Sequence, residues 1–413
     1  MNFYVIQLNL QKTQFRMNHK TAIATLCFLA TFIMACVTEK NDGGFSAERQ
    51  VEYCQQQVER TLSELRDSTG RIDYVMTPRN IGPQEQHWNL KRVDTPEEWC
   101  AGFFPGILWM AGDTSEAARF TEKLRYLAYQ PVYDHDLGFI MIGSFLKGWE
   151  QNQSEDYKQV LLAAADTLAT LFNPKAGTML SWPRNVRMFG GHNTIMDNMI
   201  NLELLLWASQ HGGSPRLKEI AMTHADTTMS CHFRNDATSY HVAVYDSITG
   251  EHKYNCTHQG AGDETMWARG QAWAIYGYTM VYQYTHEKRY LDWAEKVTDA
   301  YLSALPDSTR IPYWDFSRDD FRDASAAAIV ASALVNLSEL SGKKAYLDEA
   351  KTMLENLSKP PYISGKEKPS FIMHSVGNMP AGTEIDYSIN YADYYYLEAL
   401  LRLIEIQEKN AKK

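Results

Sequence analysis

Two kinds of helical segment alternate along the chain, and this alternation constrains the fold more than any other feature of the sequence. Segments of the first kind are amphipathic, with one apolar face and one charged face. Segments of the second kind are apolar on nearly all sides, which is typical of buried helices. The amphipathic segments are predicted over residues 46–67, 115–128, 154–172, 214–233, 287–305 and 343–357. The apolar segments are predicted over residues 99–111, 137–149, 194–209, 264–284, 323–340 and 386–406.

This alternation predicts an all-α fold, an (α/α)6 toroid of six helical hairpins. We expect the apolar helices to form an inner ring, which closes if the first amphipathic helix packs beside the last apolar one. An open solenoid of the tetratricopeptide type is the alternative. It is less favoured because the hairpin offsets vary from roughly 37 to 73 residues, whereas a solenoid repeats at a short fixed period.

The longest loop, residues 233–262, is predicted to place a small β-hairpin lid over the mouth of the toroid. Residues 239–246 alternate between polar and apolar side chains as a strand does, and residues 253–259 follow after a turn. Functional groups are often found on such loops. The candidate ligand-binding side chains on this lid are His241, Thr257 and Gln259.

The N-terminus has the features of an export signal. An apolar run over residues 21–35 is about 15 residues long, shorter than the roughly 20 that a membrane-spanning helix requires. The run ends in Ile-Met-Ala-Cys at residues 33–36, which resembles the lipobox of bacterial lipoproteins, where the cysteine is acylated. We therefore predict lipidation at Cys36 and an exported lipoprotein on the periplasmic face of a membrane or on the cell surface.

These features divide the chain into three parts. Residues 1–36 are predicted to be a signal segment, with Met17 as the favoured start, and residues 37–45 a flexible tether. Residues 46–413 are predicted to be a single domain. The lipid is then the protein's only expected link to a membrane.

Composition and charge limit the kinds of molecule that the protein is expected to bind. The formal net charge of −10 argues against a nucleic-acid partner, since affinity for nucleic acid depends on clustered Lys and Arg. The chain has 24 Tyr and 10 Trp, more than a core alone usually needs, and such aromatic residues commonly line sites for sugars. No CxxC pair and no zinc-type His spacing occur, so no structural metal is expected. Disulfides or buried thiols are both open for Cys54, Cys100, Cys231 and Cys256.

Two acidic residues lie at equivalent positions in two hairpins. Asp136 and Asp197 each open an apolar helix, where burial of a carboxylate costs several kcal/mol unless it is paired, hydrogen-bonded or protonated. An acid/base pair facing one cavity accounts for this placement. Helix N-capping accounts for it equally well, because Asp is favoured at N-caps. Of the two, Asp197 is the stronger candidate for a raised pKa.

Several further side chains are expected at the same rim of the toroid. Arg269 and Trp273 are four residues apart on one helix face, and an Arg beside a Trp is suited to binding a carboxylate. An ion pair of Arg269 with Asp263 or Glu264 is the structural alternative. If the second lid strand is extended, the side chains of Thr257 and Gln259 point the same way. The remaining candidates are His135 beside Asp136, loop residue Trp182, expected to be exposed and to stack on a ligand, and Trp99 and Trp267.

Glycosidases normally use two carboxylates, whereas the motifs of serine hydrolases, nucleotide-binding enzymes and zinc proteases do not occur in this chain. Together, residues 135–139, 194–209, 240–242 and 263–276 resemble glycoside hydrolase family 88, the unsaturated glucuronyl hydrolases. The resemblance extends over nearly the whole chain from about residue 46. It implies an (α/α)6 barrel that removes the 4,5-unsaturated uronic acid which polysaccharide lyases leave at the non-reducing end of an oligosaccharide.

The resemblance also implies roles for the candidate residues. Asp197 corresponds to the acid that protonates C4 of the unsaturated sugar and activates water, and Asp136 to its partner acid. The corresponding positions of the sugar pocket are Trp99, His135, Trp182, His241, Thr257, Gln259, Trp267, Arg269 and Trp273. No metal or organic cofactor is implied. An unsaturated rhamnogalacturonyl hydrolase acting on pectin fragments and a non-catalytic sugar-binding lipoprotein are the alternatives.

Overall fold

The structure is a computed structural model that describes residues 44–412. The helices, in chain order, are α1 (Ala47–Leu65), α2 (Phe103–Ala111), α3 (Thr114–Glu122), α4 (Leu137–Met141), α5 (Lys147–Asn152), α6 (Glu155–Ala169), α7 (Val186–Phe189), α8 (Asn198–Gln210), α9 (Pro215–Cys231), α10 (Ala268–Thr285), α11 (Lys288–Ala304), α12 (Ala324–Ser341), α13 (Lys344–Leu357) and α14 (Asn390–Ala411). A π-helical turn (Ile142–Leu146) joins α4 to α5, so that these two form one continuous element.

The apolar helices form a closed inner ring. Around the ring, α2, the α4–α5 element, α8, α10, α12 and α14 each contact the next, and α14 contacts α2. The first outer helix, α1, packs against α14, as the toroid requires. The prediction of an (α/α)6 toroid is therefore confirmed, and the open-solenoid alternative is wrong. Helix α12 is long and apolar enough to cross a membrane, but most of it is buried inside this ring.

Short-range signals set where the outer helices begin and which face they bury. Ser46, Ser154 and Ser214 accept a backbone hydrogen bond at the N-termini of α1, α6 and α9, which satisfies N–H groups that have no partner within the helix. In α11, Tyr290 and Ala294 lie one turn apart on the same helix face, and both are fully buried against the ring. The outer helices are thus fixed by capping and by one apolar stripe each.

Within residues 44–412, nine short strands form three antiparallel sheets. They are β1 (Met76–Ile81), β2 (Asn89–Arg92), β3 (Phe172–Asn173), β4 (Thr178–Met179), β5 (His192–Ile195), β6 (Val242–Tyr245), β7 (His252–Cys256), β8 (Ser375–Asn378) and β9 (Thr383–Ile389). The predicted lid hairpin is β6–β7, and β5 adds a third strand to it. The four-stranded sheet, in the order β2-β1-β9-β8, was not predicted from the sequence.

These strands and turns correct the predicted starts of four inner helices. Residues 194–195 belong to β5 and residues 386–389 to β9, while residues 99–102 and 264–267 lie in turns or extended segments. The backbone explains one of these differences directly: Asp386 has a φ of 65°, which is incompatible with a right-handed helix. These inner helices therefore begin a few residues later than the helical pattern predicted, after a strand or a turn.

The signal segment 1–36, the lipidation site Cys36 and nearly all of the tether 37–45 lie outside the described residues. Ser46–Lys413 is one compact unit, and the division of the chain into signal segment, tether and one catalytic domain stays a prediction. Within the described chain, the four candidate cysteines are free thiols, with Cys54 and Cys100 buried.

Asp393, on α14, ties the C-terminal loop to the inner ring. Its carboxyl is 1% exposed and accepts hydrogen bonds from the backbone N–H groups of Phe371 (2.9 Å) and Ile372 (3.0 Å). Burial raises the pKa of Asp393 to about 8, against the opposing effect of these two hydrogen bonds. The carboxyl is therefore a structural group whose ionisation is unfavourable in the folded state.

The raised pKa of Asp393 predicts a pH-dependent effect of the substitution Asp393→Asn. The unfolded carboxyl ionises near pH 4 and the folded one near pH 8, so this group stabilises the fold most below pH 4 and loses that contribution by pH 8. Asparagine removes this dependence. Measured against wild type, the unfolding free energy of the variant should improve by about 1 kcal/mol per pH unit between pH 5 and 8. A pH-independent difference in chemical denaturation would contradict this assignment.

Candidate active site

The two acids predicted from the sequence both lie at the N-terminal ends of inner helices. Asp136 is the N-cap residue of α4, and Asp197 is the N-cap residue of α8. Neither side chain makes a capping hydrogen bond to its helix among the described residues. Helix capping therefore does not account for either acid, and both carboxyl groups are left available to the cavity.

Asp197 is buried without a full set of partners. It is 7% exposed, and its Oδ2 atom has no hydrogen-bond partner within residues 44–412. Burial raises the pKa of Asp197 to about 6, while the positive charge of Arg269 acts in the opposite direction. A carboxyl group with such a pKa is partly protonated near neutral pH, which suits a general acid.

His241, on the lid, faces Asp197 in a fixed tautomer. Its Nδ1 atom accepts hydrogen bonds from the backbone N–H groups of His258 and Gln259, each 3.1 Å away. The ring proton must then be on Nε2, which lies 3.6 Å from Oδ2 of Asp197. Burial holds the pKa of His241 well below its usual range, so the ring is neutral. The lid thus presents one N–H group to the buried acid.

Asp136 has a comparable neighbour in His135. Nε2 of His135 lies 3.5 Å from Oδ1 of Asp136, and burial lowers the pKa of His135 to about 3. The pKa of Asp136 is raised well above its usual range by burial and by the charges of Asp134 and Asp197, while Arg184 opposes this. Burial therefore favours the protonated form of both acids relative to a solvent-exposed aspartic acid. The charge of a third carboxyl, Asp134, contributes to the raised pKa of Asp136, and the expectation that Asp197 is the stronger candidate of the two stays a prediction.

Aromatic rings connect the two acids and the lid into one wall. The ring of Trp182 lies 6.3 Å from that of His135 and 6.1 Å from that of His241. The ring of Trp267 lies 4.5 Å from that of His241. On the other side of the cavity, the ring contacts extend from Trp99 through Phe139 to Trp273. These contacts bring Trp182, Trp267 and the two histidines together and join Trp99 to Trp273, while the predicted role of all of them in one sugar site stays a prediction.

The environments of Trp182 and Thr257 differ from those expected. Trp182 is only 8% exposed, because it packs in a cluster with Phe189, Val242 and Val244 beneath the lid. Thr257 does not extend β7. Its hydroxyl accepts a hydrogen bond from Gly260 N at 2.8 Å and closes a turn, so that Thr257 and Gln259 do not share a strand face.

Arg269 is held by strand β8 and by Asp323. Its guanidinium is 1% exposed, donates to the backbone carbonyls of Val376 and Gly377, and lies 3.4 Å from Oδ2 of Asp323. It also lies over the Trp267 ring, 4.6 Å from its centroid. The prediction that Arg269 pairs with Asp263 or Glu264 is therefore wrong, since its acidic partner is Asp323. The side chain of Gln259 also donates to the carbonyl of Gly377, at 3.2 Å. Its contacts place Arg269 between the cavity and the loop.

Five polar side chains around the acids were not predicted from the sequence. Asp134 accepts a hydrogen bond from the backbone N–H of Asp136 and pairs with Arg184 at 2.6 Å. Arg79, on β1, is buried, pairs with Glu384 at 2.8 Å and lies over the ring of Trp99 at 5.4 Å. The other two are Asn198 and Asn201 on α8. Two Asn residues in an otherwise apolar helix were a signal that could have been recognised, whereas nothing in the sequence singles out Arg79.

Comparison with known proteins places this chain among sugar-degrading enzymes. An unsaturated glucuronyl hydrolase of Formosa agariphila is 41% identical over 321 residues, which cover 74% of this chain and 80% of that protein. An unsaturated chondroitin disaccharide hydrolase of Streptococcus pyogenes serotype M1 is 30% identical over 325 residues, 74% of this chain and 81% of that protein. The crystal structure of an unsaturated glucuronyl hydrolase specific for heparin superimposes with a TM-score of 0.80 at 36% identity, covering 88% of this chain and 98% of the other. No family model matches the chain.

A closed α/α toroid with two buried carboxyl groups under an aromatic-lined lid defines the protein as a glycoside hydrolase. The sequence identity of these relatives and the share of the chain that they cover show the family. The chain belongs to the unsaturated glucuronyl hydrolases, glycoside hydrolase family 88. The resemblance inferred from the sequence is therefore confirmed.

Proposed function

We propose that this enzyme removes the 4,5-unsaturated uronic acid from the non-reducing end of lyase-generated disaccharides by hydrating the C4=C5 double bond. The observation that carries the proposal is the state of Asp197, a buried carboxyl with an unpartnered oxygen and a pKa of about 6. Such a group can deliver a proton to carbon. The names of the relatives, which include glucuronyl and chondroitin disaccharide hydrolases, support the same substrate class.

In the proposed reaction, Asp197 donates its proton to C4 of the enol ether. Positive charge then develops at C5 and the ring oxygen, and the Asp197 carboxylate accepts a proton from the water that adds to C5. The resulting hemiketal opens, and the neighbouring sugar leaves. Asp136 holds the substrate hydroxyls and stabilises the cationic transition state, while the neutral His241 donates its Nε2 proton to a nearby oxygen. These steps need a proton donor and water, and the proposal includes no cofactor.

The aromatic wall and the lid would bind the sugar. In the proposal, the partly exposed Trp99 provides apolar surface of the kind on which sugar rings pack, and the almost fully buried Trp182 and Trp267 support it. Gln259 and His241 provide hydrogen-bond donors. Thr257 and Trp273 support this surface from behind in the proposal, since the Thr257 hydroxyl is used in its own turn and Trp273 is fully buried. The direct binding role predicted for these two residues stays a prediction.

The rate should depend on pH through Asp197. Because the donor must be protonated, the active fraction is complete below its pKa and falls tenfold per pH unit above it. With a pKa of about 6, we expect kcat/KM to decline from pH 6 upwards, with a slope approaching minus one in log kcat/KM against pH. The check is a profile recorded under conditions where the fold is stable. A profile that is flat from pH 5 to 8 would contradict the role of Asp197.

A panel of unsaturated disaccharides tests the proposed function. Disaccharides made by chondroitin, heparin and pectin lyases share the conjugated C4=C5 chromophore but differ in the second sugar and in sulfation. Loss of their ultraviolet absorbance with wild-type enzyme, together with release of the second sugar, is the expected result for at least one glycosaminoglycan product. Turnover confined to the pectin product would instead support the rhamnogalacturonyl alternative, and no loss with any substrate would contradict the proposal.

We also propose that the enzyme is exported and anchored to a membrane by a lipid on Cys36. The proposal rests on the apolar run over residues 21–35 and the lipobox-like residues 33–36. An extracellular or periplasmic location would place the enzyme where lyase products form. Intact-mass analysis of protein extracted from native membranes should show a processed chain beginning at an acylated Cys36. A Cys36→Ser variant should then appear in the soluble fraction, and an unmodified Cys36 in membranes would contradict the proposal.

A further inference from the structure

Each acid of the site has a histidine whose Nε2 atom faces it, but the two histidines are held from behind in different ways. His241 is held by the two backbone N–H groups of His258 and Gln259. Nδ1 of His135 instead meets a side chain, the amide nitrogen of Asn201, at 2.8 Å. Both histidines are fully buried. The tautomer of His135, and with it the group presented to Asp136, therefore depends on which end of the Asn201 amide faces the ring.

The neighbouring Asn198 decides that orientation. The Nδ2 atom of Asn198 donates to the backbone carbonyl of Met179 at 3.1 Å and to the hydroxyl of Ser181 at 3.0 Å. Because a carbonyl only accepts, this contact fixes the Asn198 amide, whose oxygen then lies on the side of Asn201. The distance from Asn201 Nδ2 to Asn198 Oδ1 is 3.5 Å. Asn201 must present its amino group both to this oxygen and to His135.

The carbonyl of Met179 thereby sets which group donates and which accepts in each contact from Asn198 through Asn201 to His135. The Asn201 amino group donates to Nδ1 of His135, so the ring proton is on Nε2, 3.5 Å from Oδ1 of Asp136. Nε2 has no hydrogen-bond partner within the described residues. An N–H group at this place is directed toward Oδ1 of Asp136 and favours this oxygen, rather than Oδ2, as the unprotonated one.

Gly138 leaves the room that this arrangement needs. A Cβ atom at Gly138 would lie 2.3 Å from Oδ1 and 2.5 Å from Cβ of Asn201, so no side chain fits between α4 and α8 at this level. The Asn201 oxygen packs against the glycine without a hydrogen-bond partner among the described residues. An unpartnered buried oxygen is destabilising. If Asn201 had only a structural role, an apolar residue at this position would stabilise the fold better.

We propose that Asn201, oriented by Asn198, is a positioning residue that locks His135 as an Nε2–H donor toward Asp136. The proposal rests on the proposed function, in which Asp136 acts on the substrate. Asn201 does not touch the substrate, and it acts through His135. Substitution of Asn201 should therefore change the tautomer of His135 as well as kcat.

The direct test is the imidazole ¹⁵N spectrum of full-length wild-type protein, with the His135 resonances assigned by their loss in a His135→Gln variant. We expect a neutral ring protonated at Nε2. In Asn201→Asp the carboxylate can only accept, so the proton should move to Nδ1. The kcat should then fall by at least roughly 100-fold with KM changed less than about threefold, a smaller loss than the about 10⁴-fold caused by a wrong tautomer where the histidine itself is the general base.

Asn193→Asp is the matched control, because Asn193 is an equally buried Asn whose side-chain amide hydrogen-bonds to the backbone of Trp182. It should leave the His135 resonances as in wild type. A wild-type ring protonated at Nδ1 would overturn the proposal, whether or not Asn201→Asp folds. So would an Asn201→Asp variant that loses activity without a change of tautomer, or changes tautomer without loss of kcat. A wild type that shows the Nε2–H ring but consumes no unsaturated disaccharide would count against the proposed function alone.

Discussion

Replacement of Asp197 by Asn is expected to lower kcat by roughly 10²- to 10⁴-fold, the contribution of a well-placed general acid. The amide has nearly the same shape as the carboxyl but cannot protonate C4. Because ionisation of the buried Asp197 carboxyl is unfavourable in the folded state, the variant should fold normally and unfold at the same temperature or slightly higher at pH 8. Steady-state kinetics with the preferred disaccharide and thermal unfolding measure the two effects separately.

Asp393→Asn provides a matched control for this experiment. Asp393 is a second buried acid near the start of an inner helix, but its carboxyl binds the loop at Phe371 and Ile372 instead of facing the cavity. The control should change the pH dependence of stability and retain turnover. Near-normal turnover in Asp197→Asn would contradict its assignment as the proton donor, and comparable losses in both variants would point to a general effect of altering a buried acid.

The substitution Arg269→Ala is expected to have the largest effect on stability. It would leave the buried carboxylate of Asp323 without its cationic partner and two backbone carbonyls of β8 without their donors. Breaking one half of a buried ion pair typically costs 3–5 kcal/mol. We therefore expect the unfolding free energy to fall by about 3–5 kcal/mol. Chemical denaturation of the purified variant measures this directly.

Arg269→Lys separates a structural role of this residue from a role in substrate binding. Lysine keeps the charge near Asp323 but cannot donate to both carbonyls from one planar group, so an intermediate loss of stability is expected. If Arg269 instead gripped the substrate carboxylate as its main role, Arg269→Ala would raise KM strongly and leave the unfolding transition near that of wild type. That outcome would contradict the structural role of Arg269.

The helical part of the fold could be predicted from the sequence because its signals are local. Each inner helix is apolar all round, and each outer helix shows its stripe within a few turns, as Tyr290 and Ala294 do. The sheets lack such signals. Strand β2 is exposed along its whole length and pairs with β1, while β1 pairs with β9, more than 300 residues later in the chain. Pairings over such a separation follow from the closed ring and not from any short pattern.

The two acids were found because a charge at the head of an apolar helix requires an explanation. Capping and catalysis predict the same residue there, and only the absence of a capping hydrogen bond separates them. The partners of Arg269 could not be predicted, since Val376 and Gly377 lie in strand β8, 107 and 108 residues later in the chain. For the same reason Trp182 was expected to be exposed: its burial depends on the lid residues Val242 and Val244.

Delivery of a proton to carbon and addition of water to a double bond distinguish the proposed reaction from ordinary glycosidic cleavage. The most direct measurement is the reaction of wild-type enzyme with its preferred unsaturated disaccharide in D₂O, followed by NMR of the released uronic acid. Protonation of C4 by a solvent-exchanged Asp197 predicts one deuterium at C4 of the product and loss of the C4=C5 chromophore. Release of a uronic acid that keeps its double bond and carries no deuterium at C4 would contradict the proposed reaction.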